Sequence, residues 1–209
     1  MTASAASCRI VVFARAPEPG KVKTRLIPAL GEAGAAALHR RLVMLSLCAA
    51  RDAELGSVEL WCAPDTRHVF FAECKRGFGV SLHSQREGDI GARMQRALET
   101  VLGRARRAIL IGADVPALSA QYLRDAEHAL SSAHDVVIGP AEDGGYVLIG
   151  LSRCDPELFR GIPWGGPQVL AETRRRIAAL RWRSLEMPAL WDVDRPEDLE
   201  RLSEEMRAR

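Results

Sequence analysis

Short apolar runs alternate along the chain with segments in which apolar positions recur at helical spacing. The run CRIVVFA at residues 8–14 is β-branched and is followed by a loop rich in proline and glycine, so it predicts a buried strand. Residues 31–53 then place Leu38, Leu42 and Leu45 on one face, which indicates an amphipathic helix. Further strands are predicted at 57–63, 79–84, 107–113, 135–141, 145–151 and 181–188, and further helices at 65–77, 89–105, 119–130, 167–180 and 196–209.

The order of these elements predicts the fold class. Strands and helices alternate through the first half of the chain, which predicts an α/β protein with a doubly wound, mostly parallel sheet flanked by helices. The strands at 135–141 and 145–151 are joined by the short turn EDGG, so they predict a hairpin and hence a mixed sheet. We expect helix starts at Asp65 and Ser119 as N-caps, and at Pro196 as a first helical residue.

Composition narrows the class of protein. The chain of 209 residues is 47% hydrophobic and 27% charged, which is typical of a globular protein, and its length suits one domain over residues 1–209. The net charge of +2 is too small for the basic footprint of a nucleic-acid binder. The five cysteines form no C-x-x-C pair, and the apolar run before Arg15 is too short for a signal peptide or a membrane span. We therefore expect a soluble, cytoplasmic protein that acts on small molecules; nothing in the sequence indicates its oligomeric state.

The loop after the first strand, FARAPEPGKVKTRL at residues 13–26, is the first candidate for chemistry. It combines four cations with a flexible glycine and a hydroxyl, namely Arg15, Gly20, Lys21, Lys23, Thr24 and Arg25. The loop matches neither the Walker A motif nor G-x-G-x-x-G. It can cradle a di- or triphosphate through charge-assisted hydrogen bonds, and it can equally be a solvated basic turn.

A second candidate is the segment ILIGADVP, in which Asp114 follows an apolar strand. Open α/β sheets bind ligands beyond the carboxyl ends of their strands, so this carboxylate is placed to hold a hard cation such as Mg²⁺. The alternative is a capping or turn residue before Pro116. With the basic loop, the sequence supplies both halves of a nucleotide–metal site: cations for phosphate and a carboxylate for the metal.

Two glycine-rich segments follow. In GPAEDGGYVLIG, Asp143 could bind an acceptor or act in acid–base chemistry, while Gly144 and Gly145 would let backbone amides approach a ligand. The same Asp-Gly pair is a strong hairpin signal, so a plain turn is the competing interpretation. In IPWGGPQ, Gly165 and Gly166 precede a predicted helix, whose N-terminal amides would suit an anion.

The segment WDVDRPEDL places Asp192 and Asp194 beside the last predicted helix. Helix capping explains Asp194, and a second metal carboxylate is the competing interpretation.

Taken together, these motifs resemble a known group of bacterial proteins. FARAPEPGKVKTRL, GDIGARM, GADVPAL, GPAEDGGYVLIGL, IPWGGPQVL and DVDRPEDL occur in the order found in radical-SAM/selenodomain-associated transferases, also described as glycosyltransferase-like proteins. That group is similar in fold to the nucleotide-diphospho-sugar transferases, the GT-A fold. It is also similar to the 2-phospho-L-lactate guanylyltransferases, which share the K-T-R-L loop and a counterpart of GADVP.

The resemblance implies roles for particular residues. Arg15, Lys23 and Arg25 would lie on the nucleotide phosphates, Asp114 would be the principal ligand of Mg²⁺ or Mn²⁺, and Asp194 would be the second. The acceptor pocket would be lined by Asp143, Gly144 and Gly145. Relatives carry Ser or Thr in the WGG turn, whereas Gly165 and Gly166 of this chain provide no hydroxyl there.

These roles lead to three functional hypotheses. In the first, an acceptor oxygen attacks the α-phosphorus of a nucleoside triphosphate and pyrophosphate leaves. In the second, the same site uses a nucleoside-diphosphate sugar, and Asp143 or Glu142 is the base for an acceptor hydroxyl. In the third, the protein binds nucleotide without performing chemistry. The sequence favours a transferase, most of all the nucleotidyl version.

Overall fold

The computed structural model describes residues 6–207, and side chains from residue 7 to residue 202. The strands of this part of the chain are β1 Ala6–Arg15, β2 Val58–Ala63, β3 Ser81–Ser84, β4 Ala105–Ile111, β5 Val136–Pro140, β6 Tyr146–Leu151 and β7 Ser184–Glu186. Its α-helices are α1 Ile27–Asp52, α2 Val69–Phe78, α3 Ile90–Leu102, α4 Ala120–Ser132, α5 Val169–Ala179 and α6 Asp198–Arg207, with 3₁₀ turns at Thr24–Leu26 and Pro156–Leu158.

Within these described residues the strands form one seven-stranded sheet in the order β3-β2-β1-β4-β6-β5-β7. Neighbouring strands pair in parallel except where β6 joins β4 and β5, so β6 alone runs against the others. The mostly parallel, mixed α/β sheet predicted from the order of elements is therefore confirmed.

The two faces of the sheet are covered by different helices. Alternate residues of β1 point to opposite sides: Ile10 and Val12 pack with α1, α2 and α4, while Val11 and Phe13 pack with α3 and α5. This is the doubly wound arrangement in which each parallel strand is buried on both faces. A smaller apolar cluster lies between α1 and the segment after β7, and it includes Trp191 and Val193.

Three helix starts differ from the sequence predictions. Helix α1 has a first turn before residue 31, where Pro28 suits a helix start. Gly31 is not helical, with φ 68° and ψ 166°, and it separates this turn from the helix that was predicted. Asp65 is not the cap of α2, because its carboxylate accepts a hydrogen bond from the Arg67 amide and pairs with the Arg67 guanidinium. The ring of His68 caps the helix instead by accepting from the Phe70 amide.

The start of α6 is the third difference. Pro196 lies in a turn before the helix, which begins at Asp198. The Asp198 carboxylate reaches back and accepts hydrogen bonds from the amides of Asp194 and Arg195, at 2.9 and 2.7 Å. The carboxylate that orders this turn is therefore Asp198, and the capping interpretation of Asp194 is wrong. The cap predicted at Ser119 is confirmed, because its hydroxyl accepts from the Tyr122 amide.

The sheet brings distant segments to one edge. Val12 of β1 lies opposite Ile111 of β4 in parallel register, so Arg15 and the residues after β4 emerge side by side. Because β6 runs the other way, the hairpin turn before it lies at the same edge. Residues 191–194 also return there, since the Val193 amide donates to the Asp114 carbonyl at 2.9 Å. None of the helices in residues 6–207 has the length and apolar character needed to cross a bilayer.

Candidate active site

The segments that meet at this edge enclose a polar cavity of about 470 Å³, which we call the central cavity. It is lined by Arg15, Lys21, Val22, Lys23, Thr24, Arg25, His39, Asp114, Asp143, Gly165, Asp192 and Asp194. The structure thus brings together the predicted catalytic residues from the basic loop, the end of β4 and the hairpin turn. Both predicted metal ligands, Asp114 and Asp194, line the same space.

Lys23 is the buried centre of this arrangement. It adopts a left-handed backbone conformation, with φ 48° and ψ 41°, just before the 3₁₀ turn at Thr24–Leu26. Its side chain is 5% exposed and its Nζ lies 2.9 Å from Asp114 Oδ1. The same Nζ donates a hydrogen bond to the Val193 carbonyl. Lys23 therefore ties the first loop to the end of β4 and to the segment after β7.

Asp114 is held in its ionised form. Its Oδ1 is buried between Lys23 and His39, although the side chain as a whole is 44% exposed. Burial alone would raise the pKa of Asp114, but the interactions with His39 and with the Lys23 charge outweigh it and lower the pKa to about 2. The carboxylate consequently carries a full negative charge at neutral pH and keeps one side open to the cavity.

His39, on α1, is a site residue that we did not predict from the sequence. Its ring is buried, its Nε2 lies 3.1 Å from the Arg15 carbonyl oxygen, and its Nδ1 lies 3.6 Å from Asp114 Oδ1. The ring thus bridges the ends of β1 and β4. The available signal was a polar residue within the apolar stripe of the predicted helix, one turn before Leu42.

The second pair of charges lies nearer the surface. An Arg25 guanidinium nitrogen donates to Asp194 Oδ2, and the two side chains are 66% and 40% exposed. Arg25 and Asp194 therefore bind each other in this structure. Their predicted roles, on phosphate and on metal respectively, stay predictions.

Asp192 and Asp143 place further negative charge in the cavity. Burial, and after it the charge of Asp143, raise the pKa of Asp192, while Lys23 partly offsets them. Asp143 Oδ1 accepts a hydrogen bond from the Gly145 amide at 2.9 Å, so Asp143 belongs both to the hairpin turn and to the cavity wall. The turn interpretation is confirmed, whereas the role of Asp143 toward an acceptor stays a prediction.

Four of the predicted glycines lie outside the central cavity. Gly144 has φ 91°, and a Cβ there would lie 2.3 Å from the Pro167 carbonyl oxygen, so it serves close packing. The Gly145 amide is taken by Asp143, and Gly20 lies against the side chain of Glu32. Gly166 is half-buried in the WGG turn, whereas its neighbour Gly165 lines the cavity. The proposed contacts of these amides with a ligand stay predictions.

The WGG turn packs between helix α3 and the hairpin turn before β6. A Cβ on Gly91, in the first turn of α3, would lie 2.4 Å from the Trp164 indole nitrogen, so the indole packs directly on the helix backbone. On the other side Pro167 packs on Gly144. Because Gly91 and Gly144 have no side chains, Trp164 and Pro167 can pack directly on the backbones of α3 and of the hairpin turn. This packing holds the WGG turn at the edge of the central cavity.

A second cavity of about 380 Å³ lies on the α3 side of β1, and we call it the α3-side cavity. It shares Arg15, His39 and Asp114 with the central cavity, so the two meet at the ends of β1 and β4. Its floor includes Gln85, a buried residue whose amide nitrogen donates to the Trp61 carbonyl at 2.8 Å. Gln85 was also missed from the sequence, although it lies three residues before the GDIGARM motif.

Comparison with solved structures identifies the class of fold. A candidate nucleotide-diphospho-sugar transferase from Desulfovibrio desulfuricans G20 matches with a TM-score of 0.85 and 32% identity, over 93% of this chain and 85% of that one. The inositol-1-phosphate CTP transferase of T. maritima matches with a TM-score of 0.62 and 12% identity, over 97% and 96%. Rv0371c from Mycobacterium tuberculosis H37Rv, in complex with manganese, matches with a TM-score of 0.57 and 20% identity, over 96% and 100%. The last two show likeness of fold alone.

Sequence comparison then gives the family. The chain belongs to the family described as "Uncharacterized protein conserved in bacteria (DUF2064)", whose profile matches residues 45–166. No curated protein matches the chain. The GT-A-like fold class expected from the motifs is confirmed. The name of the Desulfovibrio desulfuricans protein agrees with the prediction of a transferase.

Proposed function

We propose that this protein is a divalent-metal-dependent transferase that moves a nucleotidyl group from a nucleoside triphosphate to a small acidic or phosphorylated acceptor. The observation that carries this is Asp114, an ionised carboxylate that lies where the central and α3-side cavities meet, with a basic loop beside it. Its functional relatives would then be the radical-SAM/selenodomain-associated transferases and the 2-phospho-L-lactate guanylyltransferases.

The carboxylates of the central cavity fit Mg²⁺ or Mn²⁺. Among the described side chains of residues 7–202, no three from His, Cys, Asp or Glu form a ready-made metal cluster. Mg²⁺ does not need one, because it commonly takes one or two carboxylates and completes its shell with phosphate and water oxygens. A bound cation would supply neutralising charge for the phosphates.

Asp114 and Asp192 are the ligands that we propose first. Their charges interact, and a divalent cation would relieve the repulsion that helps to raise the pKa of Asp192. Asp194, the second ligand expected from the family resemblance, would have to leave Arg25 in order to bind a metal.

The two cavities suggest how the substrates would be arranged. The nucleoside would occupy the α3-side cavity with its α-phosphate beside Asp114, and the acceptor would enter from the side of Asp143 and Asp192. A bond forms between the acceptor oxygen and the α-phosphorus, while the bond from that phosphorus to the bridging oxygen breaks. Pyrophosphate leaves with the electron pair. The contribution of the protein is to position the reactants and stabilise charge.

An acceptor that is already an anion needs no base, whereas a hydroxyl acceptor would. Glu142 is a poor candidate, because its carboxylate pairs with Arg201 at 2.8 and 3.0 Å, and this hydrogen bonding lowers its pKa. Asp192 lines the central cavity, but as a proposed ligand of the metal it is not free to act as a base. Asp143 lines the same wall and is the better candidate.

The test is release of pyrophosphate. The purified protein is incubated with each nucleoside triphosphate, Mg²⁺ and a set of phosphorylated acids and sugars. We expect pyrophosphate with at least one combination, and a loss of about a hundredfold or more in Asp114→Asn. Asp125→Asn, on the exposed face of α4, is the matched control and should keep full activity. Metal-independent binding of nucleotide, or equal activity of the two variants, would exclude this proposal.

Glycosyl transfer is the second candidate, because the relative at 32% identity carries the name of a nucleotide-diphospho-sugar transferase. In that case the same protein would release a nucleoside diphosphate from a nucleoside-diphosphate sugar and would release no pyrophosphate from a triphosphate. Running both assays on one preparation separates the two candidates. Tight, metal-dependent nucleotide binding with no product in either assay would favour a non-catalytic role.

A further inference from the structure

Most of the positively charged side chains around the site already form salt bridges with carboxylates. They are therefore not equally available to a ligand. Lys21 lies 2.5 Å from Glu18, Lys23 lies 2.9 Å from Asp114, and Arg25 is bound to Asp194. Each of these cations would have to exchange a carboxylate for a phosphate in order to bind a nucleotide. Lys23, at 5% exposure and with two acceptors, has the least freedom to do so.

Two arginines at the site differ from these. Arg15, at the end of β1, and Arg93, on α3, form no salt bridge with any carboxylate in the part of the chain that the structure describes. Arg93 comes from the GDIGARM motif, to which the proposed function assigns no role. The uncompensated positive charge of the site is therefore on the α3 side of β1.

The fold directs both arginines into the same space. Both line the α3-side cavity, and both also line a smaller cavity of about 270 Å³ between the first loop and Ala63-Pro64, which we call the arginine cavity. Arg93 is held in place by its Nε, which donates to the Gly88 carbonyl at 2.8 Å. This contact leaves the terminal nitrogens of its guanidinium available to a ligand.

The chemistry of this pair suits phosphate. A guanidinium presents a planar fork of donors that matches two phosphate oxygens, and two such groups facing one cavity repel each other until an anion binds. The arginine cavity is smaller than the 300–1,000 Å³ typical of sites for drug-sized molecules, so it suits a small anion more than a nucleoside. It opens beside the α3-side cavity, where we place the nucleoside.

We propose that Arg93 and Arg15 together bind the terminal diphosphate of a nucleoside triphosphate, the part that leaves as pyrophosphate. This deepens the proposed function and rests on it for the identity of the substrate. Asp143, Asp192 and Asp194 line the central cavity but not the arginine cavity. The acceptor would thus approach from an acidic side and the leaving group would depart on a basic one, while Lys23 and Arg25 hold the carboxylates in place.

The experiment compares two arginines of one helix. Arg96 lies one turn beyond Arg93, and its side chain also donates to backbone carbonyls, those of Ala92 and Glu87, but it lines none of the cavities described. Dissociation constants are measured by calorimetry in Mg²⁺ for a nucleoside triphosphate, the corresponding monophosphate and inorganic pyrophosphate. The proteins are wild type, Arg93→Gln, Arg15→Gln and Arg96→Gln, each checked for folding by circular dichroism.

We expect Arg93→Gln and Arg15→Gln to weaken binding of the triphosphate and of pyrophosphate by about tenfold to a hundredfold, as for loss of a charge-assisted hydrogen bond. Binding of the monophosphate should change by less than about twofold, and Arg96→Gln should match wild type for all three ligands. The loss in Arg93→Gln should be partly restored in Arg93→Lys, which keeps the charge but not the fork.

The outcomes separate this proposal from the proposed function. Equal loss of mono- and triphosphate binding in Arg93→Gln, or the same loss in Arg96→Gln, would mean that Arg93 only shapes the loop before α3. Unchanged triphosphate binding in Arg93→Gln would reject the arginine site and leave nucleotidyl transfer intact. Pyrophosphate binding that depends on Arg93, without turnover of any triphosphate, would support the site and reject nucleotidyl transfer. A wild-type protein that binds neither triphosphate nor pyrophosphate would reject both.

Discussion

Lys23 is a candidate phosphate ligand in the sequence and is paired within the protein in the fold. Its role on a nucleotide phosphate stays a prediction. In the loop sequence it is one of four cations that could bind phosphate. In the structure its ammonium is buried against Asp114 and the Val193 carbonyl, so its charge is compensated from within the protein. Burial raises the pKa of Asp114, and the interaction with His39, followed by the charge of Lys23, outweighs it and keeps Asp114 ionised.

Replacing Lys23 should therefore destabilise the protein itself. Lys23→Met would leave Asp114 Oδ1 without its cation, and we expect the free energy of unfolding to fall by about 1–3 kcal/mol at pH 7, less than for a fully buried pair because Asp114 is partly exposed to solvent. Urea denaturation measures the change. Lys21→Met, in the same loop but 73% exposed, should cost less than about 1 kcal/mol.

The loss of stability in Lys23→Met should also depend on pH. The interaction with His39, followed by the charge of Lys23, lowers the folded pKa of Asp114 to about 2. The stability that both interactions contribute is therefore present above the unfolded pKa and is lost as pH falls toward 2. The difference between wild type and Lys23→Met should shrink over that interval. A difference that stayed constant down to pH 2 would show that Lys23 acts through packing.

Asp192 should behave in the opposite way. Burial and the charge of Asp143 raise its pKa, so the folded state loses stability as pH rises through that pKa. Asp192→Asn should increase the free energy of unfolding at neutral pH by on the order of 0.5–1 kcal/mol and have little effect in acid, where Asp192 is protonated. The comparison needs metal-free buffer, with Asp125→Asn as control. A variant less stable than wild type at neutral pH would contradict this.

The sequence predicts which helices and strands exist, and in which order, better than it predicts where each one begins and ends. The apolar runs of β1 and β4 and the Ser119 cap follow from local patterns, and they are where we expected them. The cap at Asp65 and the helix start at Pro196 are wrong, because other side chains accept from the free amides there: His68 from Phe70, and Asp198 from Arg195. A local pattern offers several such groups, and only the three-dimensional path of the chain selects one.

The packing of Trp164, in the WGG turn, on helix α3 can be tested by substitution at Gly91. Gly91→Ala would place a Cβ 2.4 Å from the Trp164 ring, so we expect it to push the indole away and destabilise the protein by about 1–3 kcal/mol. Gly77→Ala is the matched control, since Gly77 lies in α2 with open space at its Cβ, and there alanine should stabilise by up to about 1 kcal/mol. Thermal unfolding and Trp fluorescence report both effects. If both variants gained stability, the packing of Trp164 on α3 would be refuted.

At the scale of the whole molecule, the central site combines segments that lie far apart in sequence. That Asp114 and Asp143 would meet the basic loop was predictable, because strands of a parallel sheet end at one edge. His39 had a weak signal, as a polar residue in the apolar stripe of α1. The pairing of Lys23 with Asp114 and of Arg25 with Asp194, and the place of Arg93, were not predictable. They depend on side chains of different elements meeting, for which one sequence contains no signal.

We predicted one domain over residues 1–209, and denaturation can test it. Trp61 and Trp164 pack on the α3 side of the sheet, whereas Trp191 belongs to the cluster beside α1. If the chain unfolds as one cooperative unit, fluorescence and far-ultraviolet circular dichroism should follow a single urea transition with the same midpoint. Two separated transitions would show that the segment after β7 and its cluster unfold on their own.

The Lys23–Val193 hydrogen bond has a consequence for the way the protein is made. Residues 191–198 leave the ribosome after every other part of the site, yet they supply the carbonyl that fixes Lys23, the partner of Arg25 and one wall of the central cavity. Most of the sheet can form while this segment is still being synthesised. A nascent chain would therefore contain the strands and the two cavities assigned to the nucleotide before the acceptor wall of the central cavity is complete, so the acceptor could not guide the early steps of folding.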